Sequence, residues 1–148
     1  MIYEIEKDRS NSDQIASMIN KYNGWRHKFH WHDILHNNAR YFAVKNESNI
    51  VACAGLSNDS PALSKIQHVC VLPQFRGLGI AKGILMHIVT NICSSDVYMT
   101  IREDNISSLY MAGKVGFAFE RKIWSIDHWI YVVYMERSSS IGTKVYVH

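Results

Sequence analysis

Apolar residues recur along this chain with two periods, and the switches between them mark out its elements. Residues 2–6 alternate as a short strand. Ser12-Asp13 offers a cap for a helix carrying Ile15, Ala16, Met18 and Ile19, which ends near Asn23-Gly24. The stretch from Trp25 to Asn38 is rich in aromatic residues and His, with a short helix around Ile34-Leu35. Residues 41–44 and 50–56 flank the polar turn 45–49 and read as a hairpin. Residues 57–64 read as a loop, and 65–71 as a third strand. Ile80, Ala81, Ile84, Leu85, Ile88, Val89 and Ile92 share one wide helical face. A strand over 96–101, a helix over 105–115 closed by Gly116, and strands over 117–126 and 129–135 complete the order. The succession β-α-α-β-β-β-α-β-α-β-β predicts a mixed α/β fold, and its hairpins exclude a regular βαβ repeat.

Composition narrows the class. With 148 residues, 47% apolar and 20% charged, the chain reads as one soluble domain over 1–136 followed by a polar tail over 137–148. Repeats, low-complexity tracts and membrane-length apolar runs are absent, and the first residues lack the features of a signal peptide. Cys53, Cys70 and Cys93 lie in apolar segments, an odd set that fits reduced thiols and a cytoplasmic setting. A net charge of +3 suits a phosphate-rich ligand. The basic residues are scattered, without the stripe or aromatic platform of a nucleic-acid binder.

The chemistry concentrates in the run Val69-Cys70-Val71-Leu72-Pro73-Gln74-Phe75-Arg76-Gly77-Leu78-Gly79-Ile80-Ala81-Lys82. A strand ends at a proline, a basic glycine-rich turn follows, and a helix begins. Glycines let a backbone approach an anion, and the first N–H groups of a helix have no internal partner. The run lacks the Gly-Lys-Ser/Thr of a Walker loop. Gly77 and Gly79 are followed by Lys82 and only then Gly83, which does not fit the dinucleotide fingerprint.

These residues resemble the GCN5-related N-acetyltransferase (GNAT) superfamily. Arg76-Gly77-Leu78-Gly79-Ile80-Ala81 fits its Gln/Arg-x-x-Gly-x-Gly/Ala signature, and Asn105, Ser108 and Gly116-Phe117 fit a second motif downstream. The resemblance implies an acyl-CoA N-acyltransferase fold, a central mixed and mostly antiparallel sheet flanked by helices and splayed at the cofactor site. It implies that the backbone of Val69, Cys70 and Val71 pairs with the pantetheine arm of acetyl-CoA as an added strand would. The N–H groups of Gly77, Leu78, Gly79, Ile80, Ala81 and Lys82 then cradle the pyrophosphate, Arg76 and Lys82 add positive charge, and Asn105 reaches the pantetheine from the far side.

The implied activity is acetyl transfer from acetyl-CoA to a primary amine of a small molecule or peptide, by direct attack on the thioester. An N–H near Val71 stabilises the oxyanion, and Cys70 is not a nucleophile. The family's usual acid, a Tyr, is replaced by Ala112, and Tyr110 lies about 200° round the helix. Ser108 then either hydrogen-bonds the departing thiolate or packs as a small residue whose hydroxyl caps the helix. His68 is either the base, acting directly or through water, or a core histidine. Gln67 points the opposite way along the strand, and Glu103 and Asp104 are alternative bases. Asp33 and Asp127 are further partners for an ammonium.

His27, His30, His32 and His36 complete no recognisable metal spacing and read as an exposed face or a substrate wall, with no metal expected. Trp25, Phe29 and Trp31 are core plugs or acceptor-pocket walls. The alternative to an enzyme is a non-catalytic acyl-CoA-binding sensor or partner module. The apolar closing strands would otherwise expose an edge, which favours a homodimer; no membrane or nucleic-acid partner is expected.

Overall fold

The computed structural model describes residues 1–24 and 27–137. Trp25 and the tail beyond Arg137 therefore lie outside the described residues. Seven strands form one sheet in the order β1-β2-β3-β4-β5-β7-β6. They are β1 (Tyr3–Glu4), β2 (Arg40–Asn46), β3 (Asn49–Ser60), β4 (Leu63–Val71), β5 (Asp96–Arg102), β6 (Ala118–Ser125) and β7 (His128–Met135). The helices are α1 (Arg9–Tyr22), α2 (Trp31–His36), α3 (Ile80–His87) and α4 (Ile106–Val115). The architecture is the expected mixed α/β sheet flanked by helices.

Strict alternation along the central strands divides the core between two faces. Tyr41 and Ala43 of β2, with Cys53 of β3, pack under α1 and α2 against Ile15, Ile19 and Ile34. Phe42, Ala52, Ala54 and Leu56 turn to the other face, where Ile84, Leu85 and Ile88 meet Ala112 and Val115 of α4.

All strand pairs but one are antiparallel. The exception is β4 with β5, which run parallel and pair only at Leu63↔Asp96, Ser64↔Val97 and Lys65↔Tyr98. Beyond Lys65 the two strands part while each keeps its other neighbour. Leu72 N–H bonds the Val51 carbonyl at 2.9 Å, so the alternation of the ladder turns the amide groups of Val71 and Val69 toward the opening.

Several boundaries differ from the sequence expectation, each for a local reason. Asp8, not Ser12-Asp13, caps α1, its carboxylate accepting from Asn11 N at 2.7 Å. The polar residues after it are absorbed by the fold: Asn11 donates to Glu6 O at 2.8 Å, and Ser12 is buried. The expected loop 57–64 is mostly strand. Its buried Ser64 hydroxyl is shared with Asn58 Oδ1 and Ser95 Oγ, both at 2.8 Å, so polar side chains satisfy one another inside the hairpin. The helix expected to reach Ile92 changes after His87 into a π-helical turn over Ile88–Ile92, with Cys93 N on Ile88 O at 2.8 Å. Arg137, read as the start of the tail, is tied to the body through Asp96 Oδ1 at 2.8 Å and Cys93 O at 3.1 Å.

Candidate active site

The parting of β4 and β5 opens a cleft of about 730 Å³ whose outer wall is the glycine turn. Pro73–Phe75 form a single 3-10 turn, and Gly77 and Gly79 follow at φ +79° and +77°. That left-handed backbone strains any residue with a Cβ, and glycine adopts it freely. Gly79 is the N-cap of α3, so the first-turn N–H groups behind it lack intrahelical partners. Gly77, Gly79, Ile80, Ala81 and Lys82 line the cleft together with Val69, Cys70, Val71, Arg76, Asn105 and Ser108. Leu78, grouped with the cradle from its sequence, does not line the cleft; its side chain is 69% exposed.

Both carbonyls on the open edge of β4 accept hydrogen bonds from side chains. Arg76 folds back so that Nε donates to Val71 O at 2.9 Å, with its guanidinium 5.3 Å from the Tyr22 ring. Asn23 Nδ2 donates to Val69 O at 3.3 Å. Asn105 caps α4, its Oδ1 accepting from Ser108 N at 3.2 Å. Sequence placed Tyr110 facing elsewhere, yet Ser107, Tyr110, Met111 and Lys114 all line the cleft. These positions form one helical stripe, and the cleft runs along it. Ala112, at the usual place of the family's acid, is 1% exposed and packed in the core.

A second cavity of about 450 Å³ joins the cleft where Val69, Asn105, Ser108 and Met111 line both. Its walls include Gln67 and His68 of β4, Thr100 and Arg102 of β5, Asp127 of the β6–β7 turn and His128 at the start of β7. Gln67 and His68 were expected on opposite faces. A β-bulge intervenes: Gly55 opposes Gln67 and Cys53 opposes Cys70, while His68 itself takes φ +56°. Both residues therefore line the same cavity.

The His68 ring is partly buried, with Nδ1 2.8 Å from the Tyr41 hydroxyl and the Phe29 ring against it at 5.1 Å. Burial, then the positive Lys65 nearby, lowers its pKa to about 4. Burial pushes the Cys70 thiol up to about 11, against the opposing pull of Arg76, so the thiol holds its proton at neutral pH.

Of the acidic candidates, Asp127 lines the second cavity, where its carboxylate meets His128 Nδ1 at 2.7 Å. Glu103 lies 3.8 Å from Lys122, Asp104 lies 3.3 Å from Arg102, and Asp33 accepts from His30 N at the start of α2. His27 lines the cavity, whereas the rings of His30 and His32 stack on each other at 5.4 Å. Trp31 sits beneath the Arg9 guanidinium at 4.8 Å. Among the described residues, no three His, Cys, Asp or Glu side chains converge as metal ligands. The sequence missed His128 and Tyr41. Each reads locally as hairpin or core, and only the pairing of distant strands brings them to the site.

The fold and cleft thus define a splayed mixed sheet with a glycine-rich turn and unpartnered N–H groups at a helix start. The model of the acetyltransferase (GNAT) family matches residues 2–117, and the chain belongs to that family. Its backbone is similar to yncA, a putative acetyltransferase from Salmonella typhimurium solved with its cofactor acetyl-CoA, at TM-score 0.81 and 11% identity over 96% of both chains. It is similar to the ribosomal-protein-S18-alanine N-acetyltransferase from Escherichia coli, at TM-score 0.75 and 12% identity over 99% of both chains. A variant of the spermidine N-acetyltransferase SpeG from Vibrio cholerae gives TM-score 0.73 and 14% identity over 93% of this chain and 95% of that one. No curated protein matches the chain in sequence.

Proposed function

We propose that this acetyltransferase moves the acetyl group of acetyl-CoA to a primary amine by direct attack on the thioester. The observation that carries this reading is the junction of two cavities at Val69, Asn105 and Ser108, one bearing the glycine cradle and the other a carboxylate. The pyrophosphate lies on the N–H groups of Gly77, Gly79, Ile80, Ala81 and Lys82, and the pantetheine arm along Val69, Cys70 and Val71. The amine enters from the side of Asp127 and gives up its proton to water in that cavity. An N–H near Val71 holds the oxyanion, in a term worth about 3 kcal/mol in comparable sites. Ser108 hydrogen-bonds the departing thiolate. The protonated Cys70 leaves no thiolate for an acyl-enzyme, and positioning of an already reactive thioester supplies much of the acceleration.

The acceptor is a small molecule or a peptide. Spermidine and an alanine of ribosomal protein S18 are named for two similar structures, so polyamines and peptides head the screen. The buried, unpaired Cys53, Cys70 and Cys93 accord with a reducing, cytoplasmic setting. Strand β6, with Phe119 and Trp124 exposed at the sheet edge, is the surface for a second copy.

The core position of Ala112 favours a second reading, a non-catalytic acyl-CoA-binding module. Calorimetric titration with acetyl-CoA and CoA, comparing wild type with Gly79→Glu, comes first. Binding lost in the variant supports the cradle, and thiol release with an amine then separates enzyme from sensor. A wild type that binds neither ligand overturns both readings.

A further inference from the structure

A line of four side chains runs from the surface of the α1–α2 layer to the acceptor cavity, and every hydrogen on it has one possible direction. Lys7 Nζ can only donate, and it donates to Asn37 Oδ1 at 2.8 Å and to the carbonyls of Asn37 and Ala39 at 2.6 and 2.9 Å. Ala39 N–H also donates to Asn37 Oδ1, at 3.0 Å. Two donors on that oxygen fix the orientation of the Asn37 amide, so its Nδ2 donates to the Tyr41 hydroxyl at 2.9 Å. Tyr41 is 0% exposed, and burial raises its phenol well above the ordinary value, so it keeps its proton. Among the described residues, that proton has one acceptor, His68 Nδ1 at 2.8 Å. A neutral imidazole that accepts at Nδ1 carries its hydrogen on Nε2.

We propose that the relay Lys7–Asn37–Tyr41 fixes His68 as a neutral Nε2–H donor in the acceptor cavity, where it holds an oxygen of the amine substrate or of the thioester. The proton of the amine leaves by another route. This role rests on the N-acetyltransferase function proposed above; the tautomer does not. The left-handed φ of +56° at His68 fits such a device. A residue with a Cβ adopts that backbone only where its surroundings impose it, and here it brings the ring onto Tyr41.

Among the described residues none of the groups in contact with the ring is a carboxylate, and Asp127, which lines the same cavity, meets His128 Nδ1 at 2.7 Å. The ring meets Tyr41 from β2 and Phe29, with His27 beyond it, from the loop before α2, while the Cys53 thiol of β3 donates to the backbone carbonyl of His68 at 3.5 Å. Lys65, on the same strand, is positive. Burial raises the Cys53 thiol well above its ordinary value, so it too stays neutral.

The test is a two-bond 15N–1H spectrum of the free wild-type protein, with the His68 signals assigned by their loss in His68→Gln. The expected result is a neutral ring protonated at Nε2 from about pH 6 to pH 8, with Tyr41→Phe shifting the ring toward the other tautomer. A ring protonated at Nδ1, or one that takes up a second proton in that range, overturns the proposal. No turnover is needed for this readout, so failure of the N-acetyltransferase reading shows separately, as absent acetyl-CoA binding. Kinetics then test the donor. His68→Ala should lose roughly tenfold, the worth of one hydrogen bond, and His68→Gln, which donates but is no base, should recover most of it. A loss in acceptor KM assigns the oxygen to the amine substrate, and a loss in kcat to the thioester. A Gln variant as slow as the Ala variant, with acetyl-CoA affinity intact, overturns the role.

Discussion

Gly55 lies against the Tyr41 ring so closely that a Cβ built on it would stand 2.9 Å from Tyr41 Cε1 and 3.3 Å from the Gln67 carbonyl. The ring cannot simply swing aside, because its hydroxyl is held between Asn37 and His68. Gly55→Ala should therefore cost about 1–3 kcal/mol, the usual penalty of overpacking, in a chemical denaturation experiment. Acetyl-CoA affinity should stay near the wild-type value, since the cradle is built on other residues. Acceptor KM should rise as His68 moves.

Gly79→Ala makes the opposite kind of change. A Cβ there meets nothing within 4 Å, yet the residue sits at φ +77°. The cost is purely conformational, about 1–2 kcal/mol, whether it appears as lost stability or as a first turn of α3 pulled out of register with its ligand. Denaturation and calorimetry on the same variant separate the two. A variant with unchanged stability and unchanged affinity would remove the reason for a glycine at this place.

Ser108 lines both cavities, and its backbone N–H is held by Asn105. Ser108→Ala should leave stability within about 0.5 kcal/mol. Under the proposed role, kcat falls about tenfold with acetyl-CoA affinity unchanged. Equal kcat in the two proteins would leave Ser108 as packing beside the cofactor.

His68 also links stability to pH. Its folded pKa of about 4 lies below the 6.5 of an ordinary histidine. Between those two values the unfolded chain binds a proton that the folded chain refuses, so stability is full above about pH 6.5 and falls as pH drops toward 4. The loss is on the order of 3 kcal/mol. Denaturation midpoints of wild type and His68→Gln should converge on acidification, and parallel curves would contradict the burial of the ring.

The glycine turn and the start of α3 were legible because their causes are local. Pro73, the two glycines and the apolar spacing from Ile80 each act on their neighbours, and the second motif places α4 by the same kind of local capping at Asn105. The hairpins were legible in the same way. Alternation failed at His68 because a bulge depends on what β3 offers opposite it, and Gly55 lies outside any window around His68. The relay joins residues 7, 37, 41 and 68, which local patterning assigns to a strand end, a loop and two strands. Likewise, Ser57–Ser64 looked like a loop because polarity marks solvent only until polar side chains find one another.

The separation of β4 from β5 also sets how the protein behaves in time. The amides of Val69 and Val71 belong to a central strand, yet they should exchange hydrogen with deuterium at the pace of an unprotected edge. Leu72 N–H, on the opposite side of the same strand and held by Val51, should exchange at the pace of the core. An extended ligand arm laid in the gap would slow the first two and leave the third alone. The slot would then report its own filling, one amide at a time, before any acetyl group has moved.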